Sequence, residues 1–75
     1  MKKSEIISLT EYGCGLTIDA NRFAYSEVRT MARQTRNSGG SLTIRNAYIF
    51  SLSEIKMICE EGRGHITFAD LKLDN

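Results

Sequence analysis

Few side chains in this chain are of the types that carry out catalysis, and they do not share a spacing typical of an active site. His65 is the only histidine, and it follows Gly62-Arg63-Gly64 at the start of an apolar run. An acid–base role needs a carboxylate or serine close to the imidazole, and neither stands at a suggestive spacing. The glycines around Arg63 predict a tight turn, since neither a GxGxxG nor a Walker pattern surrounds them. We therefore expect no catalytic residue.

Two cysteines and two aspartates are the remaining candidates for chemistry. Cys14 lies between two glycines, and a reactive thiol there would need a partner base that the neighbouring sequence does not supply. Cys59 shares the apolar face of a predicted helix and is interpreted as a small buried side chain. Asp19 and Asp70 end predicted strands, where aspartate favours turn capping. We expect no enzyme, no cofactor and no metal site.

A group of arginines occupies the middle of the chain. Between residues 20 and 53 there are five arginines and one glutamate, so this segment carries +4 whereas the whole chain carries +1. Clustered cations can neutralise phosphates, which predicts anion or nucleic-acid binding. The alternative, which we favour, is a solvated helix face on which Arg33 pairs with Glu11 and Glu60, because no nucleic-acid motif or set of stacking aromatic residues accompanies the arginines. The candidate anion-binding residues are Arg22, Arg29, Arg33 and Arg36.

A threefold repeat supplies the elements that position these side chains. Ser-Glu followed by Ile or Val occurs three times, with starts 22 and 27 residues apart, and each copy precedes a short apolar strand. These periods are typical of stacked repeats. Apolar or small residues at the second, fifth and sixth positions after each serine share one helical face. The Ser-Glu segments are Ser4–Ile6, Ser26–Val28 and Ser53–Ile55, and the strands are Leu16–Ile18, Leu42–Ile44 and Ile66–Phe68.

The repeat predicts an α/β fold of order α-β-α-β-α-β, in which a three-stranded parallel sheet carries the helices on one face. Each serine before glutamate is expected to cap a helix, and Gly13, Gly39-Gly40 and Gly62 are expected to end the helices. The strand threonines point away from the helices and leave that face open. The chain, 1–75, is interpreted as a single domain, a mini-solenoid whose first, second and third units span about 4–20, 26–47 and 53–71.

The segment Leu16–Phe23, LTIDANRF, resembles the LxLxxNxL core of leucine-rich repeats. Asn21 stands at the asparagine position, which Ala47 and Leu71 occupy in the later units. This resemblance implies a short α/β solenoid with a parallel sheet. It also implies binding to other proteins, since that family mostly binds proteins on its sheet face.

Residues 16–68 also resemble the later half of a STAS domain. The shared features are LTID, a helix, Gly39–Ile44, a second helix and Gly62. The resemblance implies a regulatory switch that works through phosphorylation of a serine at the start of a helix. Ser26 would be that serine, and the segment Ala24–Glu27 replaces the Asp-Ser-Ser-Gly that the family usually carries there.

Apolar side chains beyond those that close the core predict self-association. A three-stranded parallel sheet has two free edges, and a stack of three units has two uncovered ends. We expect a homodimer, or another protein as partner, in preference to nucleic acid. The candidate partner surface consists of Phe23, Tyr25, Tyr48, Ile49, Phe50 and Leu52.

Polar residues after Met1-Lys2-Lys3 interrupt the apolar core that a signal peptide needs. No run of apolar residues approaches the roughly 20 of a membrane span, and free thiols favour a reducing compartment. We therefore expect a cytoplasmic, bacterial interaction module with no membrane partner, whose biological process is unknown.

Overall fold

The helices and strands alternate along the chain in the predicted order. The computed structural model describes residues 1–74. Its helices are α1 (Lys3–Leu9), α2 (Tyr25–Ser38) and α3 (Leu52–Gly62), and its strands are β1 (Gly15–Asp19), β2 (Ser41–Arg45) and β3 (Ile66–Phe68). Short 3-10 turns follow α1 and the first two strands, at Thr10–Tyr12, Ala20–Arg22 and Ala47–Ile49.

The three strands form one parallel sheet in the order β1-β2-β3. Equivalent residues of the units face each other, and the middle row consists of Thr17, Thr43 and Thr67. Thr17 and Thr67 are exposed and Thr43 is half-buried, whereas the alternate strand residues Leu42 and Ile44 are fully buried. The predicted α/β layout is therefore confirmed, with the open sheet face on the threonine side.

The glutamate of each Ser-Glu pair, not the serine, caps the helix. The backbone N–H groups of Lys2, Ala24 and Ser51 donate to Glu5, Glu27 and Glu54 at 2.7, 2.7 and 2.8 Å respectively. Each helix thus begins two residues earlier than predicted, and the prediction that Ser4, Ser26 and Ser53 are N-caps is wrong. The carboxylate reaches back one turn to a donor that would otherwise have no partner. In α3, Ser51 also acts as a cap, because its hydroxyl accepts from the Glu54 N–H at 3.3 Å.

Glycines end two of the three helical segments as predicted. Gly13 and Gly39 adopt the left-handed conformation, with φ of 74° and 81°. The prediction for Gly62 is wrong, because it is the last residue of α3 and Arg63 takes the left-handed position with φ of 39°. Gly62 is instead required for packing, since a Cβ there would collide with the Ile66 side chain.

The core lies between the sheet and the helices. It comprises Ile18, Ala20, Val28, Met31, Ala32, Leu42, Ile44, Ala47, Phe50 and Ile58. The sixth residue after the serine of each Ser-Glu pair is Thr10, Ala32 or Cys59. Thr10 and Ala32 are buried, whereas Cys59 is exposed. The prediction that Cys59 is buried is wrong because α2 contacts α1 and α3, and no further helix of the described chain flanks α3.

Within residues 1–74, none of the helices combines the length and the apolar character needed to cross a membrane.

Candidate protein-interaction surface

The predicted aromatic and aliphatic surface divides into a buried part and an exposed part. Phe50 is buried, and its ring centroid lies 6.0 Å from that of the half-buried Tyr25. Phe23 is also half-buried and packs against the core. Tyr48, Ile49 and Leu52 remain 43, 42 and 70% exposed. The first group therefore closes the core between units, and the second group faces solvent.

An apolar groove of about 500 Å³ opens at the third-unit end, between the start of α3 and the segment that follows β3. Its apolar walls are Tyr48, Phe50, Leu52, Ile55 and Leu71, and Lys72 and Asp74 complete the rim. The groove lies at this end because α2 contacts both α1 and α3, whereas no further helix follows β3 within residues 1–74. Core side chains that a fourth helix would cover are left open to solvent.

The segment after β3 forms one wall of this groove and is held by Arg45 at the end of β2 and by residues of the turn that follows it. Leu71 is 55% exposed, and the Lys72 ammonium lies 4.0 Å from the centroid of the Tyr48 ring, a cation–π contact. Asp70 accepts from the Asn46 N–H at 3.0 Å and lies 3.7 Å from Arg45. These contacts position Leu71 and Lys72 across from α3.

A second interaction of Asn46 links all three units at the carboxyl edge of the sheet. The Asn46 amide Nδ2 donates to Asp19 Oδ1 at 2.9 Å, and the Asn21 N–H donates to the same oxygen at 2.9 Å. The bond from Asn46, with that from Asn21, lowers the pKa of Asp19. Asp19 therefore caps its turn, as predicted, and also bridges to the neighbouring unit. Asn46 and Asp70 share the left-handed conformation, with φ of 57° and 64°.

The opposite end of the stack carries a smaller groove of about 410 Å³. It includes Met1, Ile6 and Phe23 together with the charged Lys3 and Arg22. Met1 is 87% exposed. Both ends of the stack thus present apolar side chains.

The four candidate anion-binding arginines do not form a free cationic stripe. Arg29 and Arg33 both pair with Glu61, at 3.3 and 3.2 Å. The predicted pairing of Arg33 with Glu11 and Glu60 is wrong, because Glu61 rather than Glu60 lies on the side of α3 that faces α2. Glu60 pairs with Arg63 on its own helix at 3.2 Å.

The remaining arginines, Arg22 and Arg36, are exposed. The Arg29 guanidinium also lies 5.7 Å from the centroid of the Tyr25 ring, and its Nε is buried with no hydrogen-bond partner among residues 1–74. Arg29 is therefore an interhelix packing residue as much as a surface charge.

The other candidate residues lie apart from the grooves. Ser26 is exposed at the second position of α2. His65 Nδ1 lies 2.9 Å from the Gly40 carbonyl, which can only accept, so the proton is on Nδ1. Cys14 is exposed and donates to the Leu9 carbonyl at 3.4 Å. No cluster of three potential metal-ligating side chains occurs in the described part of the chain.

Sequence reasoning missed Ile55 and Leu71 as walls of the groove. The sequence does contain a signal for the groove. The pattern Ala-x-x-Phe-x-x-Ser-Glu leads into the second and third helices, at Ala20–Glu27 and Ala47–Glu54. After β3, Leu71 and the residues that follow it replace this pattern. The side chains that close the core between units are therefore missing at the third-unit end.

No family model, curated protein or solved structure matches this chain in sequence or fold comparisons.

Proposed function

We propose that this protein is a non-enzymatic interaction module that self-associates through the third-unit end. The observation that carries the proposal is the uncovered apolar groove beside β3. Leu52 is 70% exposed at its rim, and Leu71 is 55% exposed across from it. Ile55, which also lines the groove, is only half-buried, and so are Ile66 and Phe68 of β3. A surface of this kind on a small domain supports association with a protein surface.

The energetics require several of these side chains to be covered together. Full burial of one leucine or isoleucine contributes about 1.5–3 kcal/mol. Association costs at least about 4 kcal/mol in lost translational and rotational freedom. A contact limited to Leu52 would not persist, whereas one that also covers Leu71, Ile55 and Tyr48 exceeds this cost. We therefore expect weak association, detectable between micromolar and millimolar concentrations.

Light scattering coupled to size exclusion tests the proposal across micromolar to millimolar concentrations. The average mass of the wild-type chain is expected to rise with concentration. Leu52→Asp should remain a monomer, because it places a carboxylate in the contact while its charge suits the start of α3. Met57→Asp is the matched control, since Met57 is 41% exposed on the same helix but does not line the groove. A wild-type chain that is monomeric at every concentration would overturn the proposal.

A further inference from the structure

We infer that the groove at the third-unit end is filled by the first unit of a second copy, so that copies stack head to tail. This inference rests on the proposed self-association and specifies its geometry. The two units joined at such a contact would repeat the arrangement that α1–β1 makes with α2–β2, and α2–β2 with α3–β3. The edges of β1 and β3 that face away from β2 would then pair as parallel strands, as β1 does with β2.

The first positions of the helices show how the ends match. Lys3, Tyr25 and Leu52 begin the three helices and are equivalent. Counting back two residues makes Met1, Phe23 and Phe50 equivalent as well. Inside the chain, Tyr25 packs against Phe50 of the next unit, with ring centroids 6.0 Å apart.

The same step from the third unit to a second copy brings Leu52 against Met1 of that copy. These two side chains are 70 and 87% exposed in the single chain. Each end therefore holds an exposed apolar side chain that would cover the exposed side chain of the other end.

A second equivalent position supports the same contact. Gln34 and Glu61 are each the tenth residue from a helix start, and Tyr12 is their counterpart in the first unit. Gln34 accepts from Thr10 of the preceding unit at 2.7 Å, and Glu61 accepts from arginines of the preceding unit. In both contacts between neighbouring units of one chain, the residue at this position thus bonds to the preceding unit. Tyr12 is 77% exposed, and head-to-tail stacking directs it toward α3 of the other copy.

The same equivalences place the charged residues of the two faces. Lys56 is equivalent to Arg29, which faces the following unit and pairs with it. Glu5 is equivalent to Glu27, which accepts from Lys3 of the preceding unit at 3.1 Å. By the same equivalences, Lys56 faces Tyr12 of the second copy, and Leu52 faces Glu5 of that copy, so neither charge meets a like charge at these positions.

A symmetric contact between two third-unit ends would use only one of the two apolar ends. It would leave Met1 and Tyr12 exposed and would bring two copies of Lys56 to the same interface. Head-to-tail contact is heterologous and does not close, so it forms stacks longer than a dimer.

Two blocking variants test the geometry. Leu52→Asp places a carboxylate opposite Glu5 of the next copy, and Tyr12→Lys places an ammonium opposite Lys56. Both side chains are highly exposed in the single chain, and each new charge suits its own helix end, so folding is retained. Circular dichroism and a thermal melt of each variant confirm this before mixing.

Head-to-tail stacking predicts that each variant alone is a monomer and that an equimolar mixture forms a heterodimer of twice the mass of one chain. The mixture keeps one intact contact, between the third-unit end of Tyr12→Lys and the first unit of Leu52→Asp. If Tyr12→Lys self-associates like the wild type and mixing restores nothing to Leu52→Asp, the contact is symmetric. The inference then fails while the proposed self-association stands. If the wild type is itself monomeric, both fail.

Discussion

The Lys3 ammonium lies 3.1 Å from the Glu27 carboxylate and joins α1 to the start of α2. The same carboxylate oxygen accepts from the Ala24 N–H at 2.7 Å. One glutamate therefore caps a helix and connects two units.

This arrangement predicts an acid-sensitive interface between the first two units. The hydrogen bond from Ala24, and then the bond from Lys3, lower the pKa of Glu27 below its ordinary value of 4.5. Because the folded-state pKa is depressed, the stabilisation is present above pH 4.5 and is lost as the pH falls through the lower folded value.

Glu27→Gln should therefore be less stable than the wild type at pH 7, and the difference should shrink at pH 3. Urea unfolding at the two pH values measures it. Glu60→Gln is the control, since the Glu60–Arg63 pair is exposed and lies within one unit. An equal difference at both pH values would contradict the linkage.

Asn46 is predicted to stabilise the carboxyl edge of the sheet in two separable ways. It holds a left-handed backbone conformation, and its side chain donates to Asp19. Asn46→Gly keeps the conformation and removes the side-chain bond, and we expect a loss of about 1 kcal/mol. Asn46→Ala also adds left-handed strain and should cost about 1–2 kcal/mol more.

The bond from Asn46 also lowers the pKa of Asp19 below its ordinary value of 3.8. Stabilisation from this carboxylate is present above that value and is lost as the pH falls through the folded-state pKa. The loss in Asn46→Gly should accordingly diminish near pH 2. Equal stability of the glycine and alanine variants at pH 7 would contradict the assigned backbone strain.

Gly62 is predicted to be intolerant of any side chain. A methyl group there would meet Ile66 of β3, and overpacking of this kind costs about 1–3 kcal/mol. Helix propensity returns at most about 1 kcal/mol, so Gly62→Ala should be destabilised overall. Thermal unfolding measures the change, and Gly62→Ala with Ile66→Val should recover part of it. A variant as stable as the wild type would show that β3 can move away from α3.

The paired arginines predict weak binding to polyanions. Glu61 neutralises part of the charge of Arg29 and Arg33. Glu61→Gln should therefore elute from heparin at a higher salt concentration than the wild type, because the two guanidinium groups become available. Glu60→Gln makes the same change of net charge away from α2. Strong heparin binding of the wild type, abolished by reversing the charge of Arg29 and Arg36, would favour the nucleic-acid alternative instead.

Periodicity alone was sufficient to predict the layers, because strand alternation and helical spacing both reflect burial. Leu42 and Ile44 illustrate this. Their alternation with Thr43 predicts that both side chains face the helices, and both are fully buried in the structure. Local side-chain geometry was less predictable. Ser26 and Glu27 are adjacent, and only the helix start shows which of the two provides the cap.

Effects at the end of the stack also needed the three-dimensional arrangement. Cys59 follows the same pattern as Ala32, yet its exposure depends on whether another helix lies beside it. Glu60 and Glu61 are adjacent residues of the same type, so the sequence does not show which of them pairs with Arg33. The rotation of α3 about its axis decides this. The groove was not predicted because its walls come from three separate parts of the chain: the turn after β2, the start of α3 and the segment after β3.

A dilution series of ¹H–¹⁵N correlation spectra tests the central claim most directly. Self-association through the third-unit end predicts that the amide signals of Leu52, Ile55 and Leu71 shift with concentration, while those of Met57 and Arg36 stay fixed. Spectra that are unchanged from millimolar to micromolar concentration, or shifts confined to the arginines of α2, would contradict it.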